Sequence, residues 1–272
     1  MGWLTSPATD TQVTHRDRLW LYAVAAIIMF LLVIPTLIVI PMSFSDSQYL
    51  EFPPSTWSLR WYETYVESSK WMHATVTSLK VGVLTMLIAT PLGTAAAYAL
   101  FVSGHRAAKT IFLFLITPMI VPVILIAIGT FYVYGRIGLN NSIAGLALAH
   151  TVLAIPLVMI VITAALRSYD LNQELVARNL GATRLKAFFA ITLPQIKFSV
   201  ATATLLSFLT SFDEVIIAIF VSGGANATLT KHMFGALRDY IDPTIAAIST
   251  IMILISTVLM LTTQFIGTRR SR

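Results

Sequence analysis

The sequence predicts an all-α protein that crosses a membrane six times, on three observations. First, 57% of its 272 residues are hydrophobic and only 11% are charged, with a mean hydropathy of +0.80. A soluble domain of this size has about a quarter of its residues charged, so a soluble enzyme is excluded. Second, apolar runs near 19–41, 73–102, 109–133, 143–166, 199–221 and 243–267 each reach the roughly 20 residues a helix needs to cross a hydrocarbon core about 30 Å thick. Third, the basic residues are sorted by side. Arg16, Arg18, Arg106, Lys109, Arg167, Arg178, Arg184, Lys186, Lys197, Arg269, Arg270 and Arg272 fall on one side, and only Arg60, Lys70, Arg136, Lys231 and Arg238 on the other. Short cytoplasmic loops retain positive charge, so both termini are expected in the cytoplasm. The net charge of +6 is then a topology signal, and a nucleic-acid partner is not expected, because that needs bases clustered on a wettable face. The chain has no cysteine, which excludes disulfides, thiolate metal sites and a cysteine nucleophile.

Taken in order, residues 1–272 read as one transmembrane domain with a cytoplasmic tail at 1–18. The first run has no small-residue cleavage site after it and reads as a retained helix. An outer segment follows at 42–72, where Ser58-Leu59-Arg60-Trp61-Tyr62 predicts a short interfacial helix, since aromatic rings with polar edges settle at that depth. Pro91 in the second run, Pro118 and Pro122 in the third and Pro156 in the fourth each predict a kink, because proline removes a helical hydrogen bond. The inner segment at 167–197 predicts a helix from Leu171 to Leu180 capped by Asp170 or Asn172, a stop at Gly181, and a second amphipathic piece with Leu185, Phe188, Phe189 and Ile191 apolar. Pro194 closes that piece and opens the fifth membrane helix.

That helix holds the most informative side chains, Asp213 and Glu214. A carboxylate within the bilayer costs roughly 2.5–3.5 kcal/mol, so it faces a cavity or a partner. Both Asp213 and Lys80 come out ~12 Å below the outer surface at 1.5 Å per residue. One acid is expected to pair with Lys80, and the other to join Ser207 and Thr210 in a polar stripe along the path of a cationic solute. No catalytic or metal-ligating set is visible. The chain lacks GxxxxGK[ST] and HExxH patterns, and His15, His73, His105, His150 and His232 read as structural or solvated.

Gly181 followed by Ile191-x-Leu193-Pro194 resembles the cytoplasmic EAA loop of bacterial ABC importer permeases. Aligned on the glycine, the places of the opening Glu-Ala-Ala hold Leu175, Val176 and Ala177, and Glu174 stands one residue early. Phe52-Pro53-Pro54, Ser78-Leu79-Lys80-Val81, Ser211-Phe212-Asp213-Glu214-Val215 and Asp242-Pro243-Thr244-Ile245 look like the spermidine/putrescine branch of that family. The resemblance implies the MetI-like fold of type I importers and a multi-pass place in the bacterial inner membrane. It also implies a path for a small cationic solute. A polyamine is favoured, with an opine, aminoethylphosphonate or another small nitrogenous solute as alternatives and a secondary active transporter as the alternative class. The implied partners are a periplasmic solute-binding protein, a second permease subunit, making a heterodimer in the polyamine branch, and two ATPase subunits. Those ATPases would bind the ATP and Mg; this chain would hold no cofactor. Carried onto this sequence, ATPase coupling would fall to Glu174, Ala177, Gly181, Ala182, Leu185, Phe188, Ile191, Leu193 and Pro194.

Overall fold

The computed structural model describes residues 14–268, with side chains to 261. Arg269, Arg270 and Arg272, and most of the 1–18 tail, lie outside the described residues. The elements are α1 (Leu19–Met42), α2 (Arg60–Glu67), α3 (Ser69–Ser103), α4 (Ala108–Ile116), α5 (Val123–Ile137), α6 (Ile143–Arg167), α7 (Asn172–Asn179), α8 (Arg184–Ala187), α9 (Leu193–Phe212), α10 (Ile216–Val221), α11 (Leu229–Asp239) and α12 (Thr244–Thr268). Five helices among the described residues are long and apolar enough to span a membrane, and a bent pair passes the same test of length and composition when its two halves are taken together, which gives five or six spans.

The chain divides into two compact units, one of Met1–Tyr65 with Ile241–Ile253 and one of Val66–Tyr240 with Leu254–Arg272. In the first unit, no residue of α1 is buried, and its side chains are mostly exposed up to Leu37, as suits a helix solvated by lipid. The short helix expected near Trp61 is present as α2. Its Trp61 Nε1 donates to the Ser47 carbonyl at 3.1 Å, the Ser43 and Tyr62 hydroxyls lie 2.7 Å apart, and the Phe44 ring sits 5.3 Å from that of Tyr62.

The second unit is built on α3, α6 and α9, which pack most extensively on one another. One core cluster joins Ala89, Ala97, Ala154, Val158, Met159, Ile162, Leu166, Ile196 and Ala203. Its share of alanine lets the helices approach closely, which matters in a membrane because association there depends on packing rather than on escape from water. Gly93 shows how close: a Cβ at that position would stand 2.7 Å from Val158 Cγ1 on α6. A second cluster, with Val81, Ala127, Leu146, Ala147, Ala149, Ile217, Ala218 and Val221, joins α10 to α3, α5 and α6.

Two expected helices are broken. The run at 109–133 is not one helix: Ala108–Met119 and Val123–Ile137 meet at 90°. A tight turn at Thr117–Met119 and an extended Pro122 separate them, because Pro118 and Pro122 both lack an N–H within a single turn's reach. Pro91 and Pro156, each alone, sit inside the continuous helices α3 and α6. The run at 199–221 differs at both ends. α8 and α9 form one span from Arg184 to Phe212, joined through a wide π turn at Phe188–Thr192. That turn absorbs the hydrogen bond Pro194 cannot make, so Pro194 continues the helix instead of separating two pieces. The span then stops at Phe212, and α10 starts only at Ile216.

Candidate functional site

Asp213 and Glu214 occupy this break. Glu214 is buried, and its carboxylate accepts from the backbone N–H groups of Ile217 at 2.9 Å and Ala218 at 3.2 Å. It thereby satisfies free donors of the first turn of α10 and places negative charge at the positive end of the helix dipole. Thr230 Oγ1 donates to the Glu214 carbonyl at 2.8 Å. His150 on α6, fully buried, reaches both sides of the break. One ring nitrogen, Nδ1, lies 2.8 Å from the Ser211 hydroxyl, and the other, Nε2, lies 3.5 Å from Glu214 Oε2. At the far end of α10, Lys231 Nζ donates to the carbonyls of Ile219, at 3.0 Å, and Ser222. Burial pushes the Lys231 ammonium below the ordinary lysine pKa, because desolvation disfavours its charged form. A helix of six residues is thus capped by an acid at its start and a base at its end. Asp213, next to Glu214, is exposed, and its carboxylate makes no hydrogen bond or ion pair with the described residues.

The expected pairing of an acid with Lys80 is not formed. Lys80 is exposed and lines a surface pocket with Glu67, His73 and Val76, and among the described residues it has no ion pair. The reason is rotational. Ser78 and Gly82 face inward, Ser78 accepting the Leu229 N–H at 2.8 Å, and at about 100° per residue the side chain between them turns to the opposite face of α3. The expected stripe of Ser207 and Thr210 with one of the two acids is not one continuous helical face, since a helical wheel assumes a helix that continues through residue 213 and α9 ends at Phe212. Ser207 is buried in the seam of α3 and α9, 3.4 Å from the Thr90 hydroxyl, and Thr210 Oγ1 turns back to the Leu206 carbonyl at 2.8 Å.

In the 167–197 segment, Asp170 Oδ1 accepts the Asn172 N–H at 3.0 Å at the start of α7. Gly181 has φ +93° and open space around it, a left-handed conformation that glycine adopts without penalty. The Ala182 N–H closes the turn onto the Ala177 carbonyl at 3.0 Å, and Thr183 caps α8 through the Lys186 N–H. Around the turn, Leu180 is 84% exposed, Leu185 71% and Phe189 61%. Two expected docking residues point the other way. Glu174, 3% exposed, accepts hydrogen bonds from the Tyr98 hydroxyl at 2.6 Å and Thr192 Oγ1 at 2.8 Å. Phe188 packs on the Tyr98 ring at 4.5 Å. A carboxylate with two hydroxyl donors this close is held inside, and the aromatic pair closes over it. Ile191 and Leu193 are half-buried, and Pro194 is exposed at the head of α9.

Sequence reasoning missed His150, Ser211 and Lys231 at the break, and Leu180 and Tyr98 at the turn. His150 carried a usable signal, because it is the one titratable side chain inside the fourth apolar run.

A bundle of long apolar helices with an exposed apolar turn between two of them is the architecture of a polytopic membrane protein. Residues 89–272 match the family described as binding-protein-dependent transport system inner membrane component. The chain is 31% identical over 226 residues to the putrescine transport system permease protein PotI of Escherichia coli (strain K12), covering 80% of each. It is 28% identical over 236 residues to the spermidine/putrescine transport system permease protein PotC of Haemophilus influenzae, covering 86% of this chain and 91% of that one. In fold it is similar to a chain of a bacterial ABC transporter involved in the import of the acidic polysaccharide alginate, with a TM-score of 0.72, 16% identity and coverage of 94% and 98%. A chain of the inward-facing MetNI methionine ABC transporter gives a TM-score of 0.56 at 15% identity, over 73% of this chain and 97% of that one. The chain belongs to the binding-protein-dependent transport system inner membrane component family. It is a permease subunit of an ABC importer, multi-pass in the bacterial inner membrane, and works with a solute-binding protein and an ATPase. That membership sets aside the secondary active transporter.

Proposed function

We propose that the solute imported is a polyamine of the putrescine or spermidine type, and that this chain lines half of its path. The observation that carries the reading is the Asp213 carboxylate, open and unpaired at a helix break in an apolar span. The names of the relatives point to the same solute class. An alkyl diammonium ion needs a carboxylate to replace lost hydration, and a charge-assisted hydrogen bond contributes about 1.5–3 kcal/mol. The second half of the path belongs to a related permease chain in a heterodimer. The 167–197 segment and both termini lie on the cytoplasmic side, where the turn at Gly181 docks in a groove of the ATPase. Burying a side chain of the size of Leu180, Leu185 or Phe189 contributes about 1.5–3 kcal/mol each. ATP and Mg are held and turned over by two ATPase subunits, not by this chain.

The test is uptake of labelled putrescine and spermidine by the complete importer in proteoliposomes with its binding protein. Asp213→Asn at matched expression is expected to raise the apparent KM at least about tenfold, the loss of one charged contact. A binding protein that retains neither polyamine, or uptake indifferent to Asp213→Asn, would overturn the reading.

A further inference from the structure

His150 is a fully buried ionisable side chain, placed where α6, α9 and the break converge. Its ring is held at Nδ1 by Ser211, the third residue from the break's Glu214. Its Nε2 is buried with no hydrogen-bond partner and faces the Glu214 carboxylate at 3.5 Å. Glu214 in turn holds the first turn of α10 through Ile217 and Ala218. The carboxylate is therefore held by backbone donors of α10 and faced, at 3.5 Å and without a hydrogen bond, by an imidazole borne on a different helix. The residue it adjoins, Asp213, has a free carboxylate whose position is set only by the backbone of the break.

We propose that His150 and Ser211 are positioning residues of the transport path: they hold Glu214 over α10 and so fix the break from which Asp213 meets the solute. The proposal rests on the reading of Asp213 as a path residue, and neither His150 nor Ser211 touches the solute. A buried carboxylate that loses a facing polar group is costly, because a less polar surrounding solvates its charge less well. It then reorients, and the three-residue break moves with it.

The test uses the whole importer and substitutions that separate the two ring nitrogens. Asparagine keeps a polar atom near Nδ1 and loses Nε2, whereas glutamine reaches the Nε2 position. His150→Asn is expected to raise the apparent KM for putrescine about tenfold with Vmax within twofold of the parent. His150→Gln should stay within about threefold of the parent KM, and Ser211→Ala, which frees the ring, should fall between. A purely structural role would lower assembled complex or Vmax and leave KM unmoved in all three. Because the chain has no cysteine, Asp213→Cys also gives a single reporter on this subunit. Its rate of labelling by a methanethiosulfonate cation should change at least fivefold when combined with His150→Asn. An unchanged rate overturns the positioning role whatever the solute. An Asp213→Asn importer with normal KM, beside a changed labelling rate, overturns the path reading and leaves the positioning intact. Should His150→Asn fail to assemble, the Ser211→Ala pair decides the matter by the same two readouts.

Discussion

Glu174 stands one place from where the family pattern would have it, and the structure uses it to fasten the loop rather than to meet a partner. Its two hydroxyl donors come from α3 and from the π turn, so Glu174→Ala takes from the Tyr98 hydroxyl its acceptor and leaves Thr192 only its longer contact, 3.4 Å, with the Tyr169 hydroxyl. With a net value of about 1.5–3 kcal/mol for a bond to a charged group, it should lower the melting temperature of the purified complex by several degrees, whereas Glu174→Gln, which keeps one acceptor, should lower it less; thermal unfolding in detergent reads both. Gly93→Val makes a second residue-level prediction. With Val158 already at 2.7 Å from an added Cβ, the variant should assemble poorly in the membrane, visible as reduced monodisperse protein after extraction. At this scale the sequence showed which side chains were exceptional and not what they did. Two adjacent acids in an apolar run are conspicuous from cost alone, but dividing them into a buried cap and an open carboxylate needed the backbone break. Lys80, expected beside an acid, stands on the opposite face of α3, because counting residues along a helix says nothing of how the helix is rotated against its neighbours.

Among the elements, α10 is the one that no pattern of apolar spacing marks. Its six residues read as the tail of a longer helix, and what makes it separate is polar: Glu214 at its start, Lys231 at its end, both distant from it in the hydropathy profile or hidden within it. Lys231→Met should uncover the carbonyls of Ile219 and Ser222 and destabilise the complex by about 1–3 kcal/mol. Proteolytic cleavage between α10 and α11 should then quicken in the purified importer. The prolines teach a related point. Pro91 and Pro156 are absorbed within helices, and Pro118 with Pro122 produces a 90° bend. Spacing between prolines, rather than their presence, separates a tolerated kink from a broken span, because neighbouring turns can supply one missing donor and not two in succession.

Across the whole molecule, the apolar segments were legible from hydropathy, though not the 90° bend in the third, and the inner loop from its glycine and its following Ile-x-Leu-Pro, because both are properties of composition and local spacing. Which loop side chains face outward was not, and the exposed set of Leu180, Leu185 and Phe189 replaces the expected pairing of Leu185 with Phe188. Leu185→Asp is therefore expected to release the ATPase during co-purification in detergent at matched membrane abundance, whereas Phe188→Leu should retain it. The hydrogen bonds of Glu174 have one more consequence. They tie the glycine turn to α3 and to the root of α9, and α9 then runs without interruption for 20 residues, about 30 Å at 1.5 Å per residue, to the break that bears Asp213. The molecule thus contains a connecting rod pinned at one end and jointed at the other. Any displacement of the turn would reach the break along 20 residues of continuous helix, and the break is the place where the rod stops.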